Sequence, residues 1–245
     1  MKLNEIRLVE IELYSQCNRQ CEFCPNSYID RHSCNNEMTD EIFMKVIDEL
    51  VEADYKGHIS FSRYNEPFMH PEILRKRVDY IKQRLPDAKL VTNTNGDYDT
   101  NDFRNDIEIT EMDYDGNKEC YTKFMNGLTD EKSYRVMRLG PINNRGEALD
   151  LQKQVNRTKP CLEPTYFIGI DYEGSVVPCC NFRHDIESHK PYVFGNIKES
   201  KLEEILNSER ATKFRKDTKE ANFPDVCKTC TKEEGRYTRD CPRID

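Results

Sequence analysis

Cys17, Cys21 and Cys24 put three thiolates on one short stretch of chain. Soft thiolates suit iron–sulfur clusters and zinc. A cubane cluster has four irons, so three cysteines leave one iron without a protein ligand, and an open iron is where a cofactor or substrate coordinates. The spacing also fits a zinc ion completed by a distant ligand. A second set, Cys161, Cys179, Cys227 and Cys230, ends in Cys-x-x-Cys, for which a structural zinc is the ordinary reading. Cys179 has Cys180 beside it, and neighbours on a strand point to opposite faces, so one of the two is expected to bind metal. Cys34, Cys120 and Cys241 read as spare thiols, and none of the five histidines has metal spacing to another.

The whole chain sets the context. Its 245 residues can bury a sizeable core. The 11 cysteines are an odd number, which suits a disulfide framework poorly. The N-terminus has no apolar stretch of signal-peptide length, and no run of about 18 apolar residues could span a bilayer. A cytoplasmic protein without a membrane partner is expected, and in that reducing compartment grouped cysteines point to metal or catalysis. Lys and Arg number 37 against 45 Asp and Glu, for a net charge of −8. That balance argues against a nucleic-acid partner, whose phosphates are held by clustered cations.

The elements that would carry these residues alternate. Residues 6–13 read as a strand, and the first cysteines follow it. Thr39 suits the N-cap of a helix reaching about Ala53, with Ile42, Phe43, Val46, Ile47 and Leu50 at helical spacing. Residues 58–61 form a second strand, followed by Arg63-Tyr64-Asn65-Glu66-Pro67; Pro71 opens a second helix. Residues 89–92 form a third strand, ending in Asn93-Thr94-Asn95-Gly96. This order predicts βα units and a parallel sheet, with chemistry at the carboxyl ends of strands. All three loops should therefore share one rim. Further strands are expected at 107–112 and 134–139, and a hairpin at 166–178 turning on Asp171–Gly174. Ser200 and Glu203 read as a capping box for one helix containing Leu202, Ile205, Leu206 and Phe214.

The stretch CNRQCEFCP, placed after a first strand, resembles the radical S-adenosylmethionine superfamily, whose motif is CxxxCxΦC with Φ aromatic; Phe23 stands at Φ. The resemblance implies a [4Fe–4S] cluster on Cys17, Cys21 and Cys24 whose open iron is chelated by the methionine part of S-adenosylmethionine. Reductive cleavage would then release a 5′-deoxyadenosyl radical. Tyr64-Asn65-Glu66-Pro67 is similar to the family's Gly-Gly-Glu-Pro segment, with Tyr64 and Asn65 in place of the glycines; Asn tolerates unusual backbone angles. Asn93-Thr94-Asn95-Gly96 resembles the family's Thr-Asn-Gly segment near the cofactor. Phe23, Asn65, Glu66, Pro67, Asn93 and Asn95 are thereby implied as cofactor-binding. Cys161, Gly174-x-x-x-x-Cys179 and Cys227-x-x-Cys230 resemble the SPASM/Twitch extension of the same superfamily. It implies a second, closed [4Fe–4S] cluster on Cys161, Cys179, Cys227 and Cys230, with Cys179 favoured over Cys180.

The implied fold is α/β: a partial (β/α) TIM-like barrel over 1–155, then a small cysteine-rich Twitch-like domain over 156–245, a β-hairpin plus helix. Among Twitch enzymes the chain is most similar to the aminocyclitol dehydrogenase type, which oxidises a carbinol to a ketone. A small polar substrate and a one-electron reductant such as flavodoxin or ferredoxin are the implied partners. Arg145, in Asn144-Arg145-Gly146, and Tyr64 are the candidate catalytic residues. Peptide-modifying enzymes share the extension, and a cluster-carrying electron-transfer or binding protein without radical chemistry would also contain it, so both readings stay open.

Overall fold

The computed structural model describes residues 1–113, 134–138, 144–150 and 156–230. Cys120 and Cys241 lie outside the described residues. The strands are β1 (Leu8–Ile11), β2 (His58–Ser60), β3 (Lys89–Thr94), β4 (Glu108–Asp113), β5 (Tyr134–Arg138), β6 (Phe167–Ile170), β7 (Ser175–Val177) and β8 (Gly195–Asn196). They form one sheet in the order β5-β4-β3-β2-β1-β6-β7-β8. From β5 through β6 every pairing is parallel, and β7 and β8 add antiparallel strands at one side. Among the described residues the sheet is open, with β5 and β8 at its edges, as a partial barrel requires.

The helices α1 (Asp40–Glu52) and α2 (Pro71–Arg84) supply the crossovers of the first two βα units. Thr39 caps α1 as expected, its Oγ1 accepting from the Ile42 amide at 3.4 Å, and Pro71 sits in the first turn of α2. Val9, Ile11, Ile59 and Ile168 of the sheet are fully buried with Phe43, Val46, Ile47 and Leu50 of α1 and with Val78 and Ile81 of α2. Each such side chain contributes roughly 1.5–3 kcal/mol on leaving water. Leu202, Ile205, Leu206 and Phe214 belong to the same core. The N-terminal and C-terminal halves of the chain are tied directly: the Glu49 carboxylate of α1 accepts from the Leu202 amide at 2.5 Å.

The expected single helix after residue 200 is two, α3 (Leu202–Asn207) and α4 (Glu209–Lys219), with a short α5 (Asp225–Lys228) beyond them. The cap is shifted by one residue from Ser200 and Glu203: Lys201 is the N-cap, and the Glu204 carboxylate accepts from its amide at 3.1 Å. The break falls at Ser208, whose backbone is extended and whose Oγ accepts from the Ala211 amide at 3.2 Å. A serine that offers its own oxygen to the next turn starts a new helix as readily as it continues the old one.

One close approach shapes the interior. A Cβ on Gly169 of β6 would lie 1.8 Å from Arg63 Nη1. Arg63 crosses there from the end of β2 to meet Glu10 of β1 at 3.2 Å and the Phe182 carbonyl at 2.7 Å. The Arg63 side chain is 1% exposed, so the pair is desolvated. Gly169→Ala is expected to expel the guanidinium and break its pair with Glu10, with a loss of roughly 3 kcal/mol, the usual cost of breaking a buried pair. Urea unfolding of the two proteins side by side checks this; an unchanged midpoint would contradict it.

Candidate active site

The loops after β1, β2 and β3 meet, as the parallel order requires. Glu66 is their common fastening. Its Oε1 accepts from Thr94 Oγ1 at 2.6 Å and from the Phe68 amide at 3.2 Å; its Oε2 accepts from the Asn95 amide at 2.8 Å. The Glu66 amide donates to the Gln16 carbonyl at 3.1 Å, and the Glu66 carbonyl accepts from Tyr14 Oη at 2.6 Å. The loop before Cys17 is thus stitched to the loop after β2. Asn18 and Arg19, inside the cysteine motif, both reach Asp97: Asn18 Nδ2 at 2.7 Å and Arg19 Nε at 2.7 Å. Asn95 Nδ2 donates to Asn18 Oδ1 at 2.8 Å.

Within that frame Cys17, Cys21 and Cys24 are each half-buried and close enough that Cys17 feels the charges of the other two. Burial pushes the Cys17 thiol up to about 12. A thiol so disfavoured as a bare anion fits a ligand that ionises when a cation is present. Phe23 lies partly exposed between them. Asn65 is buried, its Oδ1 accepting from the Arg63 amide at 3.1 Å, while among the described residues its Nδ2 finds no partner. A buried amide donor left unpaired is costly, so this atom fits a ligand acceptor. Asn93, an exposed residue of β3, is held by its amide to Ser62 Oγ at 3.0 Å.

Burial pushes the Glu66 carboxyl up to about 7, against the opposing pull of its three donors. The folded state therefore binds the Glu66 proton more tightly than the unfolded chain does. Its contribution leaves stability intact below the unfolded value near 4.5, lowers it progressively as pH rises, and is complete above about 7. A loss on the order of 3 kcal/mol between pH 5 and 8 follows from a shift of that size. Denaturant titrations at both pH values should show it in the native chain and show a flatter dependence in Glu66→Gln.

The second cysteine set surrounds a cavity. Cys161, Cys179, Cys227 and Cys230 line it with Glu163, Phe182, Phe214 and Phe223, whereas Cys180 does not. Cys179 and Cys180 both pack beside Leu8, Val91 and Phe167, but of the two only Cys179 also lines the cavity. Burial pushes the Cys161, Cys179 and Cys227 thiols up, with neighbouring cysteines adding to the effect. Four thiols around a shared, otherwise mostly apolar hollow are a donor set for a thiolate-held cluster.

Between the two sets lie the candidate Tyr64 and several side chains that sequence reasoning passed over. Tyr64 is buried and donates its hydroxyl to the Cys180 carbonyl at 2.8 Å, which joins the loop after β2 to the second cysteine set. Arg183 stacks over its ring at 4.4 Å and donates to Asn26 Oδ1 at 2.9 Å; Asn26 Nδ2 in turn donates to the Tyr64 carbonyl at 2.7 Å. Arg183 and Arg31 share Asp185, at 2.5 and 2.8 Å, and Arg31 also reaches Glu12 at 3.3 Å. This buried charge network had no local sequence signal, because its members are separated by up to 157 positions.

Arg145 sits on a strained turn. Arg145, Gly146 and Glu147 all have positive φ, at 53°, 66° and 65°. Left-handed non-glycine residues cost about 1 kcal/mol or more each, and such strain gathers at functional sites. The turn is fixed by buried His189, whose Nε2 donates to the Gly146 carbonyl at 2.7 Å while its Nδ1 accepts from the Arg183 amide at 3.1 Å. Those partners set the neutral tautomer, and burial holds its pKa below the usual value. Asn144 Nδ2 donates to Thr229 Oγ1 at 2.5 Å, between Cys227 and Cys230. The charge of Arg145 is felt at Tyr64.

Comparison with known proteins agrees with this arrangement. Residues 11–112 match the family model described as Radical SAM superfamily, and residues 161–231 match SPASM, an iron–sulfur cluster-binding domain. The chain is 28% identical over 238 residues to the S-adenosyl-L-methionine-dependent 2-deoxy-scyllo-inosamine dehydrogenase of Niallia circulans, covering 91% of this chain and 92% of that one. The crystal structure of BtrN in complex with AdoMet and 2-DOIA superimposes with a TM-score of 0.79 at 26% identity, over 93% of both chains. The fold is shared more distantly with anSMEcpe bound to AdoMet, with a TM-score of 0.57, 13% identity and coverage of 91% and 87%. Among the described residues no helix is long and apolar enough to cross a membrane. The chain belongs to the radical SAM superfamily and is an enzyme of the kind that carries a SPASM-type iron–sulfur domain.

Proposed function

We propose that the enzyme oxidises a secondary carbinol of a small polar, aminocyclitol-like substrate to a ketone. The observation that carries this reading is the paired placement of the two cysteine sets: one follows the strand ends with an unpartnered Asn65 amide nearby, and the other lies behind Tyr64. Taking a carbinol to a ketone removes two electrons and two protons. One electron and one proton leave together as a hydrogen atom. The second electron needs a separate one-electron acceptor as the hydroxyl proton departs. When bound, S-adenosylmethionine with its cluster supplies the hydrogen abstraction, and a second cluster supplies the acceptor. The match to the Niallia circulans dehydrogenase along nearly the full length of both chains favours the aminocyclitol class.

In this reading Cys17, Cys21 and Cys24 hold the first cluster, and Cys161, Cys179, Cys227 and Cys230 hold the second. Phe23, Asn65, Pro67, Asn93 and Asn95 border the S-adenosylmethionine site. Glu66 acts by holding those loops together, since its carboxylate is occupied by three protein donors. Arg145 stays cationic, so it binds and orients substrate oxygen and takes no proton. Tyr64, with its hydroxyl committed to Cys180, forms a wall of the chamber. The working division lies near residue 155, with the radical SAM core before it and the auxiliary cluster region after. A flavodoxin or ferredoxin in the cytoplasm delivers the initiating electron.

Incubating the anaerobically reconstituted protein with S-adenosylmethionine, a one-electron reductant and 2-deoxy-scyllo-inosamine tests the substrate class. A ketone product is expected. Abundant 5′-deoxyadenosine with the aminocyclitol recovered intact would exclude that class.

A further inference from the structure

Asn181 follows the Cys179–Cys180 pair, is buried, and faces two ways. Its Nδ2 lies 3.8 Å from Cys230 Sγ, and its Oδ1 accepts from Arg145 Nη1 at 3.4 Å. The amide orientation follows from its neighbours: a guanidinium can only donate and a ligating thiolate can only accept, so oxygen must face Arg145 and nitrogen must face Cys230. Arg157 brings a second donor to the same sulfur, its Nη1 at 3.8 Å. Arg157 is itself held by donating from Nε to the Lys159 carbonyl at 2.9 Å and from Nη2 to the Pro160 carbonyl at 3.0 Å. Two N–H groups therefore converge on one sulfur, and one of them is polarised by a cation on the substrate side.

We propose that Asn181 is a positioning residue that couples the substrate chamber to the auxiliary cluster, and that with Arg157 it raises the reduction potential of that cluster through hydrogen bonds to Cys230. The proposal rests on the reading of Cys161, Cys179, Cys227 and Cys230 as a cluster site. Hydrogen bonds to cluster sulfur draw off negative charge and favour the reduced form. Arg145 strengthens the Asn181 N–H by polarising the amide from its oxygen end. A substrate oxygen that engages Arg145 thus changes the donor facing Cys230. The cluster that must take the second electron is thereby tuned by the group that holds the substrate.

The test is a potentiometric titration followed by electron paramagnetic resonance. It is performed on the full chain carrying Cys17→Ala, Cys21→Ala and Cys24→Ala, so that the auxiliary centre is observed alone. That parent should retain about four irons per chain. At its midpoint potential, Asn181→Leu is expected to lower the reduced-to-oxidised ratio about tenfold, a shift of about 59 mV for one electron. Asn181→Asp, which keeps an acceptor for Arg145 but puts a charge beside Cys230, should lower it at least as far. Arg157→Leu should lower it too, and Arg157→Lys, which retains a donor, should lower it less. Arg145→Ala should lower the ratio when Asn181 is present and leave it unmoved in Asn181→Leu. Unchanged midpoints in Asn181 variants that hold four irons would overturn the proposal, as would an equal Arg145→Ala effect in both backgrounds. A parent without iron would instead overturn the cluster reading beneath it.

Discussion

Replacing Cys17, Cys21 or Cys24 with alanine is expected to abolish formation of 5′-deoxyadenosine, to below one part in about a thousand of the parent rate, while roughly half of the bound iron remains. The size of the effect follows from the role of the residues. In the proposed arrangement three thiolates would hold the cluster with none to spare, and a group that acts as a unit loses nearly all function when one member is removed. Cys34 is the internal comparison. It is exposed, has no spacing partner, and its replacement should alter neither iron content nor product. Parallel iron analysis and product chromatography on the reconstituted variants decide the matter; robust 5′-deoxyadenosine from Cys24→Ala would remove the assignment.

The second large effect separates two adjacent cysteines. Cys179→Ala should cost about four irons per chain and stop substrate oxidation, yet spare reductive cleavage of S-adenosylmethionine. Cys180→Ala should keep both iron complements, because Cys180, unlike Cys179, does not line the cavity that the other four cysteines share. Its cost should be the modest one of trimming a half-buried side chain, about 1 kcal/mol. Iron loss from Cys180→Ala equal to that from Cys179→Ala would contradict the placement.

Much of the site could be read from the chain because its motifs are local. The three cysteines lie on one loop, Thr39 and Pro71 mark helix starts by their own chemistry, and strand–helix–strand order alone brings three loops to one rim. The choice of Cys179 over Cys180 came from the family spacing, and the cavity lining places Cys179 with the other three. What escaped was long-range. Nothing near Gly169 announces that Arg63 passes over it, and nothing near Asn26 announces Arg183. The parallel pairing of β6 with β1 is a contact between residues some 160 positions apart, which periodicity cannot encode. The split of the helix at Ser208 was missed because Leu206 and Phe214 keep an apolar spacing across it, while the break depends on one hydroxyl reaching the Ala211 amide.

Glu66 ties the loops after β2 and β3, Tyr64 and Asn181 reach the second cysteine set, and Arg145 donates to Asn181. In the proposed reaction a hydrogen atom leaves a substrate carbinol carbon and a ketone results. The most direct measurement uses aminocyclitol deuterated at that carbon, with mass analysis of both products after anaerobic reduction. One deuterium in 5′-deoxyadenosine for each ketone formed is expected. Ketone formation with unlabelled 5′-deoxyadenosine, or deuterium transfer without any ketone, would contradict it.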